Sequence, residues 1–225
     1  MRRAAVKGYD LDGIGMTSAR SRARLVDRLE RSGIVHQGVL EAFAAVPRHI
    51  FVEEAIAHRA YQDEALPIGH GQSISRPFTV AAMTAALLET PKDSVLEVGT
   101  GSGFQTALLA QLCGQVFTVE RIKPLLDQAR RRFEALKTHN VSSKLGDGYN
   151  GWAEQGPFSG ILVTAAPRAV PQMLLEQLDI GGRMVVPVGG DGDQRLKVID
   201  RTEQGYGERE VPGVRFVPLV KGLRT

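Results

Sequence analysis

The residues that most directly suggest chemistry lie between positions 94 and 104, SVLEVGTGSGF. A short apolar run, Val95 to Val98, leads into three glycines spaced G-x-G-x-G, and an apolar helical pattern begins at Phe104. A buried strand that runs into a glycine loop at a helix N-terminus brings unobstructed backbone N–H groups next to a ligand. The pattern therefore predicts a ligand-binding loop, although an ordinary tight strand-to-helix connection is the alternative.

Two details narrow the kind of ligand. Phe104 occupies the position where a dinucleotide fingerprint, G-x-G-x-x-G, has its third glycine. Glu97 puts a carboxylate beside the loop, which suits a cationic ligand end better than a pyrophosphate. The combination resembles the first motif of S-adenosylmethionine-dependent methyltransferases. On this resemblance the expected cofactor contacts are Glu97, Gly99, Thr100, Gly101, Ser102 and Gly103.

Two further carboxylates follow later strands of the predicted sheet. In an open α/β sheet the ligand lies at the carboxyl ends of the strands. The strand VFTVE ends in Glu120, 21 residues after Gly99, where a carboxylate can accept hydrogen bonds from ribose hydroxyls. Asp147, in the turn before Gly148, can accept from an adenine amine. Alone, Glu120 is a helix-start charge and Asp147 a turn residue; together they predict an adenosine site without a diphosphate clamp.

The surrounding pattern predicts the elements that must hold these residues. Helices are expected at about 19–31 and 37–46, with a possible short one at 53–60, before a Gly- and Pro-rich loop from 61 to 75. A helix opens near Pro77, and from Ser94 strands and helices alternate. The chain should end in antiparallel strands, Leu196–Asp200 and Val214–Val220. The predicted fold class is α/β, with a mostly parallel sheet and a helical N-terminal extension.

Composition and charge restrict the classes of function. The 225 residues are 43% apolar, contain no run long enough to span a membrane, and support one large domain, 20–225, divided into an extension, 20–75, and a core, 76–225. The only cysteine, Cys113, excludes an internal disulfide, so a reducing cytoplasm is expected. Residues 1–31 have eight basic and four acidic residues, a net charge of +4, so the rest of the chain has a net charge of about −1 within the total of +3. Residues 1–19 are expected to form a disordered basic arm, although such an arm can also contact nucleic acid.

Several stretches together resemble the protein-L-isoaspartate (D-aspartate) O-methyltransferase family. The resemblance covers roughly residues 34–222. The glycine motif is shared by many methyltransferases, whereas GQSIS, VTAAP and VRFVPL are more particular to this family. The matching stretches are VPRHIFV (46–52), LPIGHGQSIS (66–75), VLEVGTGSGFQTALLA (95–110), VERI (119–122), GDG (146–148), VTAAP (163–167), QLDIGGRMVVPVG (177–189) and VRFVPLVKG (214–222).

The resemblance implies a Rossmann-like methyltransferase fold and assigns roles residue by residue. S-adenosyl-L-methionine, with S-adenosyl-L-homocysteine as product, would be held by the loop residues 99–103, Glu120, Arg121, Asp147 and Gly148, with Gln72, Ser73 and Ile74 as a further wall. Ser75 would be the active-site serine. The peptide groove would be lined by Thr164, Ala165, Ala166, Val214, Arg215, Phe216 and Val217. Ser73 replaces a usual Thr, and Ser159-Gly160 replaces a usual Asp-Ala; neither change touches the implied chemistry.

The implied reaction is methylation of the free carboxylate of L-isoaspartyl or D-aspartyl residues in damaged proteins, which starts repair through a succinimide. Such a carboxylate has a pKa of about 4 and is already a nucleophile at neutral pH, so no strong general base is needed. Ser75 is then expected to orient the carboxylate by donating a hydrogen bond. The alternative is that Ser75 has no role in the reaction and serves only as the N-cap of the helix that Pro77 opens.

Three other functions fit parts of the sequence. A nucleic-acid methyltransferase acting on a base amine commonly carries an Asn/Asp-Pro-Pro-aromatic motif after the fourth strand, where this chain has Thr-Ala-Ala-Pro. A non-catalytic adenosine-binding module needs no Ser75 loop, and an NAD dehydrogenase needs the missing third glycine. The favoured partners are therefore peptides and proteins with isoaspartyl residues. Binding to nucleic acid, membrane or metal is not expected. The protein is expected to be a monomer.

Overall fold

A seven-stranded sheet forms the centre of the protein in a computed structural model, which describes residues 8–190, 192–212 and 215–224. Its strand order is β5-β4-β3-β6-β7-β8-β9, and a separate two-stranded hairpin is formed by β1 and β2. The strands are β1 Leu66–Gly69, β2 Gln72–Ile74, β3 Ser94–Val98, β4 Gln115–Glu120, β5 Val141–Leu145, β6 Phe158–Val163, β7 Leu178–Gly190, β8 Asp193–Thr202 and β9 Gly205–Pro212.

The sheet is parallel from β5 to β7 and antiparallel from β7 to β9, as predicted from the sequence. The prediction of a last strand at Val214–Val220 is wrong over the described residues 215–220, because the last strand is β9 and residues 215–220 pair only by an isolated bridge at Pro218. Strand β9 carries Glu208, Arg209 and Glu210 on the sheet edge, where charges discourage pairing with other chains. Because these residues are charged, β9 lacks the alternating apolar pattern from which a strand is predicted.

Within the described residues, six α-helices accompany the sheet. Strand β3 alternates, so that Val95 packs into the cluster shared with α1 to α4, while Leu96 and Val98 pack into the cluster containing Leu174 of α6. The helices are α1 Ala19–Arg31, α2 Gln37–Ala45, α3 Pro77–Leu87, α4 Phe104–Leu112, α5 Lys123–Leu136 and α6 Gln172–Glu176. Within the described ranges, none of the helices has both the length and the apolar character required to cross a bilayer.

Residues 8–75 form the N-terminal extension. It contains α1 and α2, the hairpin, and 3-10 helices at Gly15–Thr17, Arg48–Phe51 and Glu54–Arg59. Its buried apolar residues belong to the same cluster as those of α3, α4 and one face of the sheet. This face carries Val95, packs against α1 to α4, and is called the helix-covered face below. The extension therefore packs directly against the elements that carry the glycine loop.

The segment before α1 differs from the expected disordered arm. Tyr9 and Leu11 pack against the core, and the main chain of Asp10 lies 2.7 Å from Nε2 of His49. The Leu11 carbonyl accepts a hydrogen bond from Arg22 at 3.4 Å. Sparse apolar content suggested disorder, but these contacts depend on partners far along the chain. Residues 1–7 lie outside the described ranges.

Candidate active site

A cleft opens at the carboxyl ends of β3, β4 and β6, where the strand order reverses and ligands of open α/β sheets bind. About 960 Å³ of space lies between its protein atoms, part of it open to solvent. The structure brings together most of the residues predicted from the sequence: Gln72, Ser73, Ile74, Ser75, Gly99, Thr100, Gly101, Ser102, Glu120, Arg121, Gly148, Thr164, Ala165, Phe216 and Val217.

Residues 99–102 form one side of the cleft, here called the glycine wall. Gly99 has φ of +97°, and a Cβ on it would meet Oγ1 of Thr164 at 2.4 Å. That hydroxyl donates to the Gly99 carbonyl at 2.7 Å and to the Val98 carbonyl at 3.0 Å. A side chain at position 99 would therefore displace the link between β3 and β6, which explains the requirement for glycine here.

Glu120 is 5% exposed and anchors the glycine wall from the end of β4. Its Oε2 accepts from the Gly101 N–H at 2.8 Å, and its Oε1 accepts from the Ile122 N–H at 2.9 Å. A carboxylate oxygen can accept two hydrogen bonds, so both oxygens retain acceptor capacity. Glu120 can therefore hold the loop and still accept from ligand hydroxyls.

Glu97 lies behind the glycine wall and does not line the cleft, in contrast to the expectation from the sequence. Strand alternation puts it on the helix-covered face with Val95. There its Oε2 accepts from the hydroxyls of Thr106, at 2.5 Å, and Thr118, at 2.6 Å, while Oε1 has no partner within the described residues. Burial raises the pKa of Glu97 to about 8, although the threonine hydrogen bonds lower it. The group is therefore a neutral acid near pH 7.

Two other predicted cofactor residues act from outside the cleft lining. Gly103 precedes α4 with φ of +88°, and a Cβ there would meet the Phe133 ring at 2.8 Å, so this glycine permits close helix packing. The Asp147 carboxylate accepts from the Tyr149 N–H at 2.9 Å and from the Gly222 N–H at 2.7 Å. Asp147 thereby ties residues 215–224, which follow β9, to the turn after β5.

The peptide-side predictions are placed unevenly. Thr164, Ala165, Phe216 and Val217 line the cleft, whereas Arg215 is exposed and outside its lining. Ala166 is also outside the lining; its N–H donates to the Val217 carbonyl and its carbonyl accepts from the Leu219 N–H, each at 2.8 Å. Val214 lies outside the described residues. The main-chain bonds of Ala166 hold the segment after β9 across the strand ends, where residues 216–220 close one side of the cleft.

Residues 72–75 form the opposite side of the cleft, here called the serine wall. Helix α3 begins after Arg76, whose side chain makes no capping bond, and the Phe78 N–H instead donates to Oδ1 of Asp63 at 2.8 Å. Arg76 also pairs with the Asp63 carboxylate. The Ser75 hydroxyl makes no hydrogen bond within the part of the chain that the structure describes, so Ser75 is not the N-cap, and the residue lines the cleft.

Several lining residues were not predicted from the sequence. Val80 and Met83 belong to an apolar helical stripe that also packs in the core, so periodicity gave no sign of their exposure to the cleft. Gln105 donates to Oγ1 of Thr84 at 2.9 Å and links α4 to α3. The remaining unpredicted lining residues are Ile68, Val98, Phe104, Val119, Ile122, Pro218, Leu219 and Val220. Their positions at strand ends and in the family-like stretch 214–222 were the available signals.

Comparison with known proteins identifies related sequences over most of the chain. The model of the protein-L-isoaspartate(D-aspartate) O-methyltransferase family matches residues 20–224. A protein-L-isoaspartate O-methyltransferase of Hahella chejuensis is 58% identical over 209 residues, covering 92% of this chain and 99% of the relative. One from Pseudomonas paraeruginosa is 54% identical over 208 residues, with the same coverage.

Solved structures give the same result at lower sequence identity. A Plasmodium falciparum chain described as a protein-L-isoaspartate O-methyltransferase, in complex with S-adenosyl-L-homocysteine, superposes with a TM-score of 0.79 at 26% identity. It covers 89% of this chain and 98% of its own. A second protein-L-isoaspartate O-methyltransferase gives 0.82 at 26% identity, over 90% of this chain and 67% of its own. The predicted fold class, with its helical extension and antiparallel end, is confirmed.

Proposed function

This chain belongs to the protein-L-isoaspartate(D-aspartate) O-methyltransferase family, and we propose that its cleft transfers the methyl group of S-adenosyl-L-methionine to the free carboxylate of L-isoaspartyl and D-aspartyl residues. The cofactor lies along the glycine wall, and the peptide lies between the serine wall and Thr164–Ala165. The observation that carries this assignment is Ser75, which lines the same cleft as the glycine wall and is free of any capping role.

The residues of the glycine wall fit an adenosine cofactor without phosphates. Glu120 retains acceptor capacity for the two ribose hydroxyls, whereas a pyrophosphate would meet its negative charge. Gly99 and Gly101 leave the backbone open to close approach. When bound, S-adenosyl-L-methionine supplies an electrophilic methyl group on a cationic sulfur that leaves as a neutral thioether.

The protein contributes orientation more than acid–base chemistry. The substrate carboxylate, with a pKa of about 4, is ionised at neutral pH, so its oxygen can form the new bond to the methyl carbon without giving up a proton. The Ser75 hydroxyl donates a hydrogen bond to the other carboxylate oxygen and fixes the direction of attack. Positioning two reactants in this way can account for about 7–11 kcal/mol of the barrier.

The product explains the role in repair. A methyl ester of isoaspartate has an activated carbonyl carbon, which the following backbone nitrogen attacks, releasing methanol and closing a succinimide. Hydrolysis of that ring returns part of the material to a normal aspartyl linkage. The enzyme thus needs to bind only the carboxylate that has not yet been methylated. Closure and hydrolysis of the succinimide require no protein group.

The deciding experiment is transfer of radiolabelled methyl from S-adenosyl-L-methionine to an isoaspartyl peptide. The same peptide with a normal aspartyl residue and a structured RNA serve as controls. Label in a base-labile ester on the isoaspartyl peptide alone is the expected result. Label on the RNA, or equal label on both peptides, would contradict the proposal.

Three expectations from the sequence stay predictions: a monomer, a cytoplasmic location, and no binding of nucleic acid. Light scattering during size exclusion would measure the first directly.

A further inference from the structure

Three arginines are buried without a carboxylate partner among the described residues. Arg22, Arg48 and Arg132 are 9%, 1% and 8% exposed, and each donates to backbone carbonyls. Arg22 also interacts with the Tyr61 side chain and Arg132 with the Tyr9 side chain. Buried charges in proteins are normally paired, because the cost of removing an ion from water is several kcal/mol. Two of these three guanidinium groups reach the walls of the cleft, and the third does not.

Arg48 reaches the serine wall from the N-terminal extension. Its Nη2 donates to the carbonyl of Ser75 at 2.8 Å, and its Nε donates to the carbonyl of Ala60 at 2.9 Å. The guanidinium lies 4.8 Å from the centre of the Phe104 ring, on the first residue of α4. Arg48 therefore joins the main chain of the catalytic serine to the extension and to the helix that follows the glycine wall.

Arg132, on α5, reaches the glycine wall in the same manner. Its Nη1 donates to the carbonyl of Ser102 at 3.0 Å, and its Nε donates to the carbonyl of Ile50 at 2.8 Å. The guanidinium lies 5.8 Å from the centre of the Phe51 ring. Both arginines thus connect one cleft wall to the stretch 48–60 of the extension, and both stack on a phenylalanine.

Burial of these cations is unfavourable for folding. Desolvation lowers the pKa of Arg48 to about 9 and also lowers the pKa of Arg132, and Nη1 of Arg48 has no partner within the described residues. Apolar side chains of similar volume often replace buried ions without loss of stability. Filling space therefore does not explain why these two side chains are arginines. Their hydrogen bonds to the carbonyls of Ser75 and Ser102 indicate that they hold the cleft walls in place.

We propose that Arg48 and Arg132 are positioning residues with separate ligands: Arg48 sets the place of Ser75 for the peptide, and Arg132 sets the glycine wall for the cofactor. The proposal rests on the proposed function of the cleft. Neither side chain lines the cleft itself, so each acts through a main-chain carbonyl of a wall residue.

Arg22 provides a control of the same chemistry. Its Nη1 donates to the carbonyls of Ala44, at 3.2 Å, and Ala45, at 3.1 Å, at the end of α2, and none of its hydrogen bonds within the described residues reaches a residue that lines the cleft. Its replacement removes a buried guanidinium and its carbonyl bonds from the same extension. Any effect on ligands that comes only from a weakened fold will therefore appear with Arg22 as well.

The test compares Arg22→Met, Arg48→Met and Arg132→Met, with four measurements on each. These are the melting temperature, the calorimetric Kd for S-adenosyl-L-homocysteine, and the KM and kcat for an isoaspartyl peptide. Arg48→Met should lower kcat/KM for the peptide about tenfold to a hundredfold, as expected for a misplaced reacting group, with the Kd within about twofold. Arg132→Met should raise the Kd about tenfold, because the variant loses roughly one charge-assisted hydrogen bond to the glycine wall. At saturating cofactor its KM for the peptide should stay within about twofold of the parent value.

Arg22→Met should change only the melting temperature. The proposal is overturned if all three variants lose activity in proportion to their lost stability, or if Arg48 and Arg132 affect the same ligand. Where a Met variant does not fold, the Lys variant decides, because it keeps the cation but not the paired donors: partial retention of the same ligand-specific pattern is expected. Failure of the parent enzyme to methylate the peptide would refute the proposed function alone, since the Kd of the Arg132 variants is measured without turnover.

Discussion

The two walls of the cleft face each other but are constructed differently. The glycine wall is made of strand ends: its shape follows from the register of β3, β4 and β6 and from main-chain bonds to Glu120 and Thr164. The serine wall lies outside the sheet, on the short hairpin β1–β2, and side chains from distant segments hold it. Cofactor binding therefore depends on the sheet, and peptide binding depends on the extension.

Each wall also has an ionisable group buried behind it. Glu97 stands behind the glycine wall as a neutral acid, and Arg48 stands behind the serine wall as a cation. A cation near Ser75 favours a carboxylate, so Arg48 matches the ligand proposed for the serine wall, whereas neutral Glu97 adds no charge behind the glycine wall. The following changes alter one wall at a time, beginning with the largest expected effect.

Glu97→Gln should stabilise the protein more as pH rises. The folded-state pKa of about 8 lies above the ordinary value of 4.5, so the parent loses stability between pH 4.5 and pH 8, at roughly 1.4 kcal/mol per pH unit. The variant has no such loss and should exceed the parent by a few kcal/mol near pH 8, with little difference near pH 4.5. Denaturant unfolding at several pH values measures this, with exposed Glu203→Gln as control. A difference independent of pH would mean that Glu97 is ionised when folded.

Ser75→Asn should leave the melting temperature unchanged and lower turnover of the isoaspartyl peptide about a hundredfold. Asp63 caps α3, so neither Asn nor Ala at position 75 removes a cap, but the larger amide obstructs the carboxylate and misplaces it. Ser75→Ala is the matched variant, which loses the donor without added bulk. Near-parental turnover by Ser75→Asn would show that Ser75 has no catalytic role.

Glu120→Ala should weaken S-adenosyl-L-methionine binding by about 1.5–3 kcal/mol, the scale of hydrogen bonds to a charged group, with the fold retained. The loss combines the expected ribose contacts with release of the Gly101 N–H. Calorimetric titration measures the affinity, and peptide KM at saturating cofactor should not change if the two walls are independent. Unchanged affinity would reduce Glu120 to a residue that only shapes the loop.

Asp63→Ala should cost about 1 kcal/mol of stability, the usual price of a lost N-cap acceptor. Asp63→Asn keeps an acceptor for the Phe78 N–H and should lose much less, because the exposed pair with Arg76 contributes little. Thermal melts of both variants separate the cap from the ion pair. Equal destabilisation by both would attribute the effect to the charge.

The contrast between the walls also explains what the sequence could predict. The glycine wall is encoded locally, in eleven residues and in carboxylates at strand ends, so spacing alone predicted a ligand-binding loop at this position and a carboxylate at Glu120 beside it. Glu97 was misplaced although the alternation of β3, with Val95 on the helix-covered face, contained the information. The sequence-based expectation overlooked that period of two.

The serine wall could be found only by family resemblance. Its cap comes from Asp63, 15 residues before the N–H that it binds, and its carbonyl anchor from Arg48, 27 residues before Ser75. No local pattern reports such pairs, because they form only when the extension folds back on α3. Charged strand β9 and the segment 8–18 were missed for the same reason: their low apolar content is compensated by partners distant in sequence.

The segment after β9 determines how much of the chain the site requires. Residues 216–220 line one side of the cleft and are fixed by Ala166, while the Gly222 N–H donates to Asp147, so part of the site belongs to a segment that follows all seven strands of the sheet. A chain that stopped between β9 and residue 216 would contain every strand and both walls, but its cleft would be open on the side that residues 216–220 form. Completion of the sheet therefore does not by itself complete the site.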